Sequence, residues 1–339
     1  MIIVLKPGLA RKQETSVLAE IRKRGYKPHV MRGVARTVVG AIGDELTHKT
    51  LEDLAMTFPE AVESVMPVQK RYKFVSREAH PENSTVKVRE HVIGGRKFHV
   101  MAGPCSVESG EQLLRTAEAV KAAGATILRG GAFKPRTSPY EFQGLGEKGL
   151  KLLAKARRET GLAIITELLS ETHAELVAEY TDIIQIGARN AQNFQLLITA
   201  ARTGKPILLK RGMSMKIEEW LLAGEYVLAN QNCSLMFCER GIRTFETYTR
   251  NTLDLAAVPI VKNESHCPVV IDPSQGAGRA DLVKALCKGA VAMGADALLI
   301  EVHPNPAEAW SDGAQQVSLE VFAQLMRELR PFLAAAGRE

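Results

Sequence analysis

Eight short apolar runs recur between residues 99 and 304, and each ends in polar or charged residues. They are HVMAGPC (99–105), TILRGG (126–131), AIITE (163–167), IIQIGAR (183–189), ILLKRG (207–212), LMFCERG (235–241), VVIDPS (269–274) and LLIEVHP (298–304). A parallel strand reads as a continuous Val/Ile/Leu run because helices cover both of its faces. Eight such runs alternating with helical patterns predict an α/β fold, a (β/α)8 TIM barrel. Chemistry in that fold sits at the carboxyl ends of the strands. Here those ends carry Cys105, Arg129, Glu167, Arg189, Lys210, Glu239, Arg240, Asp272, Glu301 and His303.

The segments between the runs have helical periodicity. In 111–124, Leu114, Ala117 and Val120 share one side and Gly124 is a stop signal. Segments 148–161, 170–180, 190–204, 217–229 and 280–295 follow the same rule, with Ser170 an N-cap candidate. The exit from the sixth run is irregular, and Pro259 interrupts its apolar stretch. A last helix is expected over 316–335, with Val317, Val321, Leu325 and Leu329 spaced by fours.

The first 75 residues have a different pattern. A strand (2–6), a helix (15–25), a hairpin (29–33 and 35–43), a helix (46–58) and a strand (61–68) give the order βαββαβ. That order predicts an N-terminal α+β ferredoxin-like domain over 1–75. So small a unit docks onto something larger or oligomerises. Residues 69–83 are polar and read as a linker, and 85–96 alternate around Gly-Gly and read as a hairpin closing the barrel bottom. The expected division is 1–75, then 76–96 as linker and hairpin, then a 97–339 barrel.

Composition narrows the function classes. Aromatic residues are only 5%, which argues against base-stacking nucleic-acid surfaces. Five cysteines without framework spacing fit a reducing compartment. The first apolar run is too short for a signal peptide, and no stretch approaches the ~20 apolar residues of a membrane span. A soluble cytoplasmic protein is expected, with no membrane or nucleic-acid partner.

The net charge of +6 could reflect a basic surface, but its cations gather at strand ends. Arg129, Lys134, Arg136, Arg189, Lys210, Arg211, Arg240 and Arg243 all lie at or just after them. One by one they read as solvated loop residues. Together at one mouth they would repel each other without a bound anion. Guanidinium forks and ammonium groups suit phosphate and carboxylate oxygens, so two phosphorylated or anionic substrates are expected. The long loop 134–149 is stiffened by Pro135 and Pro139, which hold Lys134 and Arg136 as a rigid basic clamp for a charged substrate. Cys105, Glu301 and Asp312 form a candidate metal set with an incomplete shell. A thiolate with two carboxylates suits a divalent ion such as Mn, Fe, Co or Zn. Core packing is the competing reading of Cys105. His303 could back the metal ligands, donate a proton, or serve structure alone.

These residues resemble a known family. GPCSVES (103–109), LRGGAFKPRTSPYEFQGLG (128–146), IIQIGARNAQNF (183–194), LLKRGM (208–213), CERGIRTFE (238–246), IDPS (271–274), GAGR (276–279) and EVHPNP (301–306) look like 3-deoxy-7-phosphoheptulonate (DAHP) synthases. The subtype is the one with an N-terminal ferredoxin-like regulatory domain. The resemblance implies condensation of phosphoenolpyruvate with erythrose 4-phosphate, on the way to chorismate and the aromatic amino acids. It implies that Arg129, Arg189, Lys210 and Arg240 hold phosphoenolpyruvate and that Glu167 positions or deprotonates the attacking water. Lys134, Pro135, Arg136 and Thr137 would engage the sugar phosphate, with Lys134 a proton donor to its carbonyl. Cys105, Glu301 and Asp312 match three of the family's four metal ligands.

The fourth ligand in that family is a histidine, and this chain has Gln275 there. A neutral amide oxygen is a harder and weaker donor than imidazole. The metal could bind weakly, with Gln275 or water completing the shell. The site could be retuned to harder ions, or activity could be low, lost or altered. His266 should lie near the opposite end of the barrel and cannot replace the ligand. A 3-deoxy-octulosonate 8-phosphate synthase is the nearest rival enzyme, and the KPRTS loop argues against it. A catalytically inactive sensor barrel is the rival outside enzymes. The head domain either caps the barrel and builds an interface or binds tyrosine or phenylalanine as a feedback switch. The family also implies a homotetramer.

Overall fold

A computed structural model of the chain describes residues 1–33, 37–43, 50–66 and 71–339. The N-terminal part has the order β1 (Ile2–Leu5), α1 (Arg11–Lys23), β2 (Lys27–Arg32), β3 (Thr37–Ile42), α2 (Leu54–Thr57) and β4 (Val62–Met66). Its strands form an antiparallel sheet in the order β2-β3-β1-β4, a ferredoxin-like fold. Ile3, Leu5 and Val39 face Val17 and Ile21 of α1 in one cluster. Ile2, Val4 and Val38 alternate to the other face and join the barrel's outer core. The inner strands β1 and β3 are therefore buried on both sides, which explains why β1 is apolar throughout.

Part of the helix expected over 46–58 lies outside the described residues, as do residues 35–36, 67–68 and 69–70 of neighbouring expectations. Within the described part, helix spans only Leu54–Thr57. Leu51 precedes it and is nevertheless fully buried. Burial of these leucines follows the periodicity even where the backbone is a turn.

The barrel strands are β7 (His99–Gly103), β8 (Ile127–Arg129), β9 (Ala163–Glu167), β10 (Ile183–Ile186), β11 (Ile207–Lys210), β12 (Leu235–Glu239), β13 (Val269–Ile271) and β14 (Ala297–Glu301). They close into a parallel barrel, with β14 paired to β7. Helices α3 (Gly110–Ala122), α4 (Glu147–Thr160), α5 (Ala174–Tyr180), α6 (Phe194–Arg202), α7 (Ile217–Leu228), α8 (Ala257–Glu264), α9 (Pro273–Ala277), α10 (Ala280–Ala292) and α11 (Leu319–Ala335) lie between and after them. Ser170 accepts from the Thr172 N–H at the start of a 3₁₀ turn that leads into α5. Two faces differ from the expected ones. Leu113, not Leu114, is the buried leucine of α3, and Phe322 joins Leu325 and Leu329 in α11. Val317 precedes α11 and bridges to Val302 instead. Pro259 does not break α8. It falls in the helix's first turn, where its missing N–H has no intrahelical partner to lose.

A short hairpin, β5 (Val86–Val88) with β6 (His91–Ile93), precedes the barrel. Val86, Val88 and Ile93 belong to the same buried cluster as barrel-interior residues such as Ile165 and Leu208, so the hairpin plugs the bottom. The polar segment before it is irregular but not a free tether. Backbone N–H groups of Lys73, Phe74 and Val75 donate to the Glu225 carboxylate of α7 at 2.9, 2.9 and 3.1 Å. Phe74 is buried under β3, where a Cβ on Gly40 would come within 2.5 Å of its ring. Burying one such ring is worth roughly 2–3 kcal/mol, a local reason for the head to sit where it does.

Candidate active site

Side-chain alternation along the strands sets the site. Met101, Ile127, Ile165, Ile183, Leu208, Cys238, Val270 and Leu299 fill the barrel interior. The alternate residues, among them Leu128, Ile164, Phe237 and Ile300, pack outward against the helices. Two residues beyond each interior residue, the same parity brings Gly103, Arg129, Glu167, Gln185, Lys210, Arg240, Asp272 and Glu301 to the top. A Cβ on Gly103 would stand 2.1 Å from the Arg129 carbonyl oxygen, so only glycine lets β7 approach β8 there.

A cavity of about 220 Å³ opens at this end. Of the expected site residues, Lys134, Pro135, Arg136, Thr137, Glu167, Arg189, Lys210, Arg240, Gln275 and Asp312 line it. Six cations, counting Arg250, face three carboxylates, Glu141, Glu167 and Asp312. That imbalance in a recessed cavity favours anionic ligands. Lys210 Nζ lies 2.6 Å from Asp272 Oδ2, and Arg136 donates through Nε to Glu141 at 2.8 Å. Arg129 lies deeper, with its NH1 donating to Glu301 Oε1 at 2.9 Å and to the Pro104 carbonyl at 3.0 Å. Its Nε is buried without a partner among the described residues, a donor left for something the protein does not supply.

Glu167 is held by Gln185, whose Nε2 donates to Oε2 at 3.2 Å. Gly187 lies against the other oxygen, and a Cβ there would come within 2.0 Å of Oε1. Gly187→Ala should therefore push the carboxylate aside while leaving the barrel intact. We expect steady-state turnover to fall roughly 100-fold with little change in the thermal midpoint, since misplacing a catalytic group by about 1 Å costs that much. A Gly187→Ala enzyme with unchanged turnover would remove Glu167 from the chemistry.

Cys105, Glu301 and Asp312 offer ligand atoms that all lie within 4.8 Å of one another. Cys105 Sγ is 3.4 Å from Asp312 Oδ2 and 3.0 Å from the Lys134 ammonium. Burial, reinforced by the Glu301 charge, pushes the Cys105 thiol up to about 11. Burial acts to raise Glu301, but Arg129 and Lys134 outweigh it and bring its carboxyl down to about 2. Asp312 adopts left-handed backbone, φ 47°, a conformation that aspartate tolerates better than most residues. One thiol from the end of β7 and two carboxylates, from the end of β14 and the loop after it, fit a divalent ion as a three-donor set. Gln275 Oε1 does not face that set: it accepts from Arg240 NH2 at 3.1 Å.

Several expected residues fall elsewhere. Arg211 has outward parity and is consumed by Glu239 and Asp254, each at 2.9 Å. Arg243 is exposed and does not line the cavity. His303 is set apart from the cavity as well. β14 ends at Glu301, so strict alternation lapses, and the ring instead meets Glu108 Oε2 at 3.3 Å and the Asn305 N–H at 3.1 Å. His303 thus does not line the cavity, and its partners are Glu108 and the loop after β14. His266 lies at the barrel bottom against Phe74 and Ser84, as expected. Gln185, Arg250 and Gln315 were not singled out from sequence. Gln185 carries a signal, its inward parity. Arg250 and Gln315 come from loops without one, and Gln315 Nε2 reaches Glu301 Oε2 at 2.6 Å.

Comparison with known proteins agrees with this geometry. Residues 79–334 match the DAHP synthetase I family, and residues 1–70 match the DAHP synthase ferredoxin-like domain. A phospho-2-dehydro-3-deoxyheptonate aldolase from Thermotoga maritima is 49% identical over 339 residues, 99% of each chain. A 2-dehydro-3-deoxyphosphooctonate aldolase from Caulobacter vibrioides is 34% identical and covers 69% of this chain and 87% of its own. The crystal structure of the Thermotoga maritima DAHP synthase superposes with a TM-score of 0.79 at 48% identity, covering 100% of this chain and 98% of that one. A truncated form of the synthase from the same organism gives 0.74 at 49% identity and covers 78% of this chain and 97% of its own.

Proposed function

Because the chain belongs to the DAHP synthetase I family and carries that family's ferredoxin-like domain, we propose that it condenses phosphoenolpyruvate with D-erythrose 4-phosphate. The products are 3-deoxy-D-arabino-heptulosonate 7-phosphate and phosphate, the first step towards chorismate and the aromatic amino acids. The observation that carries the reading is the cation-rich cavity at the strand ends, with Glu167 the inward carboxylate among its cations.

Arg129, Arg189, Lys210 and Arg240 bind the phosphate and carboxylate of phosphoenolpyruvate by charge-assisted hydrogen bonds. Lys134, Pro135, Arg136 and Thr137 hold the sugar phosphate. Carbon 3 of phosphoenolpyruvate attacks the aldehyde carbon, and the Lys134 ammonium delivers a proton to the carbonyl oxygen as it becomes an alkoxide. Carbon 2 is left cationic. Glu167 orients a water and takes its proton as the oxygen adds to carbon 2. Cleavage of the carbon 2–phosphate C–O bond then yields the ketone and free phosphate. A divalent ion of the Mn, Fe, Co or Zn class, held by Cys105, Glu301 and Asp312, would polarise the aldehyde carbonyl.

Phosphate release should be measured with phosphoenolpyruvate and either erythrose 4-phosphate or arabinose 5-phosphate. Turnover with the four-carbon sugar alone is expected. Preference for the five-carbon sugar would make it a phosphooctulosonate synthase, and no release with either would make it a binding barrel. The same assay tests feedback by tyrosine or phenylalanine at the N-terminal domain. A chain starting at residue 71 keeps Phe74 and its anchor, and should retain turnover while losing inhibition. Inhibition surviving in that truncated chain would place the effector on the barrel. The reading includes a homotetramer. Five cysteines without disulfide partners support a reducing, cytoplasmic setting. Among the described residues no helix is long and apolar enough to cross a membrane.

A further inference from the structure

We propose that Gln275 is a positioning residue: its carboxamide struts Arg240 against Glu301 and aims Arg240 at the anionic substrate, and it does not ligate the ion. The inference rests on the reading above that Arg240 binds phosphoenolpyruvate.

The side chain has one orientation that satisfies both neighbours. Gln275 Oε1 accepts from Arg240 NH2 at 3.1 Å and Nε at 3.4 Å. Gln275 Nε2 donates to Glu301 Oε1 at 3.4 Å. A guanidinium can only donate and an ionised carboxylate can only accept, so each neighbour independently selects the same amide rotamer. Turning the oxygen towards the three-donor set would set NH2 against the guanidinium and oxygen against the carboxylate. Both contacts would then be repulsive.

The backbone is fixed too. Asp272 caps α9 by accepting from the Gln275 N–H at 2.9 Å, and the Gln275 carbonyl accepts from Asn251 Nδ2 at 3.0 Å. Arg240 is buried, and its other contact through NH1 is a long one, 3.4 Å to the Gly241 carbonyl. The amide oxygen is thus the nearest acceptor that sets the guanidinium plane. An imidazole at 275 that bound an ion through one nitrogen would present an N–H, not an acceptor, through the other. In this chain, position 275 therefore serves substrate geometry at the expense of a fourth protein ligand.

Two titrations on the full-length protein separate these roles. Phosphoenolpyruvate binding is measured calorimetrically on chelator-stripped protein. Cobalt(II) binding is measured by its thiolate charge-transfer absorbance, which reports on Cys105. Gln275→Met should weaken phosphoenolpyruvate about tenfold, the loss of a hydrogen bond to a charged group, and leave cobalt affinity within about threefold. In an Arg240→Met background the same change should cost less than about twofold, because the two residues act as a unit. Gln275→His should tighten cobalt about tenfold or more and weaken phosphoenolpyruvate, since imidazole is the better ligand. A Gln275→Met protein that loses cobalt tenfold but keeps phosphoenolpyruvate would make the amide a metal ligand and overturn the proposal. So would full additivity of the two methionine substitutions. Wild-type protein that binds no phosphoenolpyruvate would instead sink the reading of the whole cavity.

Discussion

Lys134→Met is expected to lower kcat by about 10³-fold, the middle of the range for losing a general acid that also stabilises developing charge. Lys134 is buried, and its ammonium lies 3.0 Å from Cys105 Sγ and 3.2 Å from the Cys105 carbonyl oxygen. Burial works to lower its pKa, but the neighbouring acidic groups, Cys105 and then Glu301 and Glu167, outweigh that and leave it raised above the ordinary lysine value. The chain is tightly wrapped: a Cβ on Gly131 would come within 2.8 Å of Lys134 Cδ. Methionine fills that volume without the charge. An arginine fork would not fit the point-charge position, so Lys134→Arg should not restore activity. Single-turnover kinetics at saturating substrates would read the chemical step. A loss of less than tenfold would show that the proton comes from elsewhere.

Stability should fall as pH drops from 6.5 to 4, and His266 should account for about 3 kcal/mol of that fall. Burial holds the His266 pKa down at about 4, against 6.5 for an ordinary histidine. Nε2 faces the Phe74 carbonyl at 2.8 Å and Nδ1 faces Ser84 Oγ at 2.7 Å, a pattern that the neutral ring satisfies with one donor and one acceptor. With the folded pKa depressed, the unfolded chain takes up a proton near pH 6.5 while the folded chain does not. The stabilisation is therefore complete above 6.5 and is lost on the way down to 4. Denaturant melts of His266→Gln, which keeps one donor and one acceptor, should show a shallower pH dependence across that window. His99, held at about 4 first by burial and then by the nearby His91, adds a slope of the same sign that the variant retains. Parallel curves for wild type and variant would mean that His266 is not the titrating group.

The legibility of the site follows from strand geometry. Arg129, Glu167, Lys210, Arg240 and Glu301 could be read as site residues because each lies at a strand end, in register with the interior apolar positions. Arg211 shares the composition of that set but not the parity, and it is spent on Glu239 and Asp254. His303 has the parity but lies beyond the last residue of β14, where alternation no longer binds the chain. The linker reading of 69–83 rested on polarity. It missed that three consecutive N–H groups could be gathered by one carboxylate, Glu225, more than a hundred residues away.

The sequence by itself determined the barrel, the head domain and the charge of the mouth, because periodicity and strand-end chemistry are local properties that a linear pattern carries. Only the tertiary structure decided which partner each polar group takes. Lys134 beside Cys105, Arg129 against Glu301 and the amide of Gln275 between Arg240 and Glu301 join segments separated by long stretches of chain. The reason is physical: a buried polar group must find a partner wherever packing brings one within about 3 Å, and no spacing along the chain encodes that meeting.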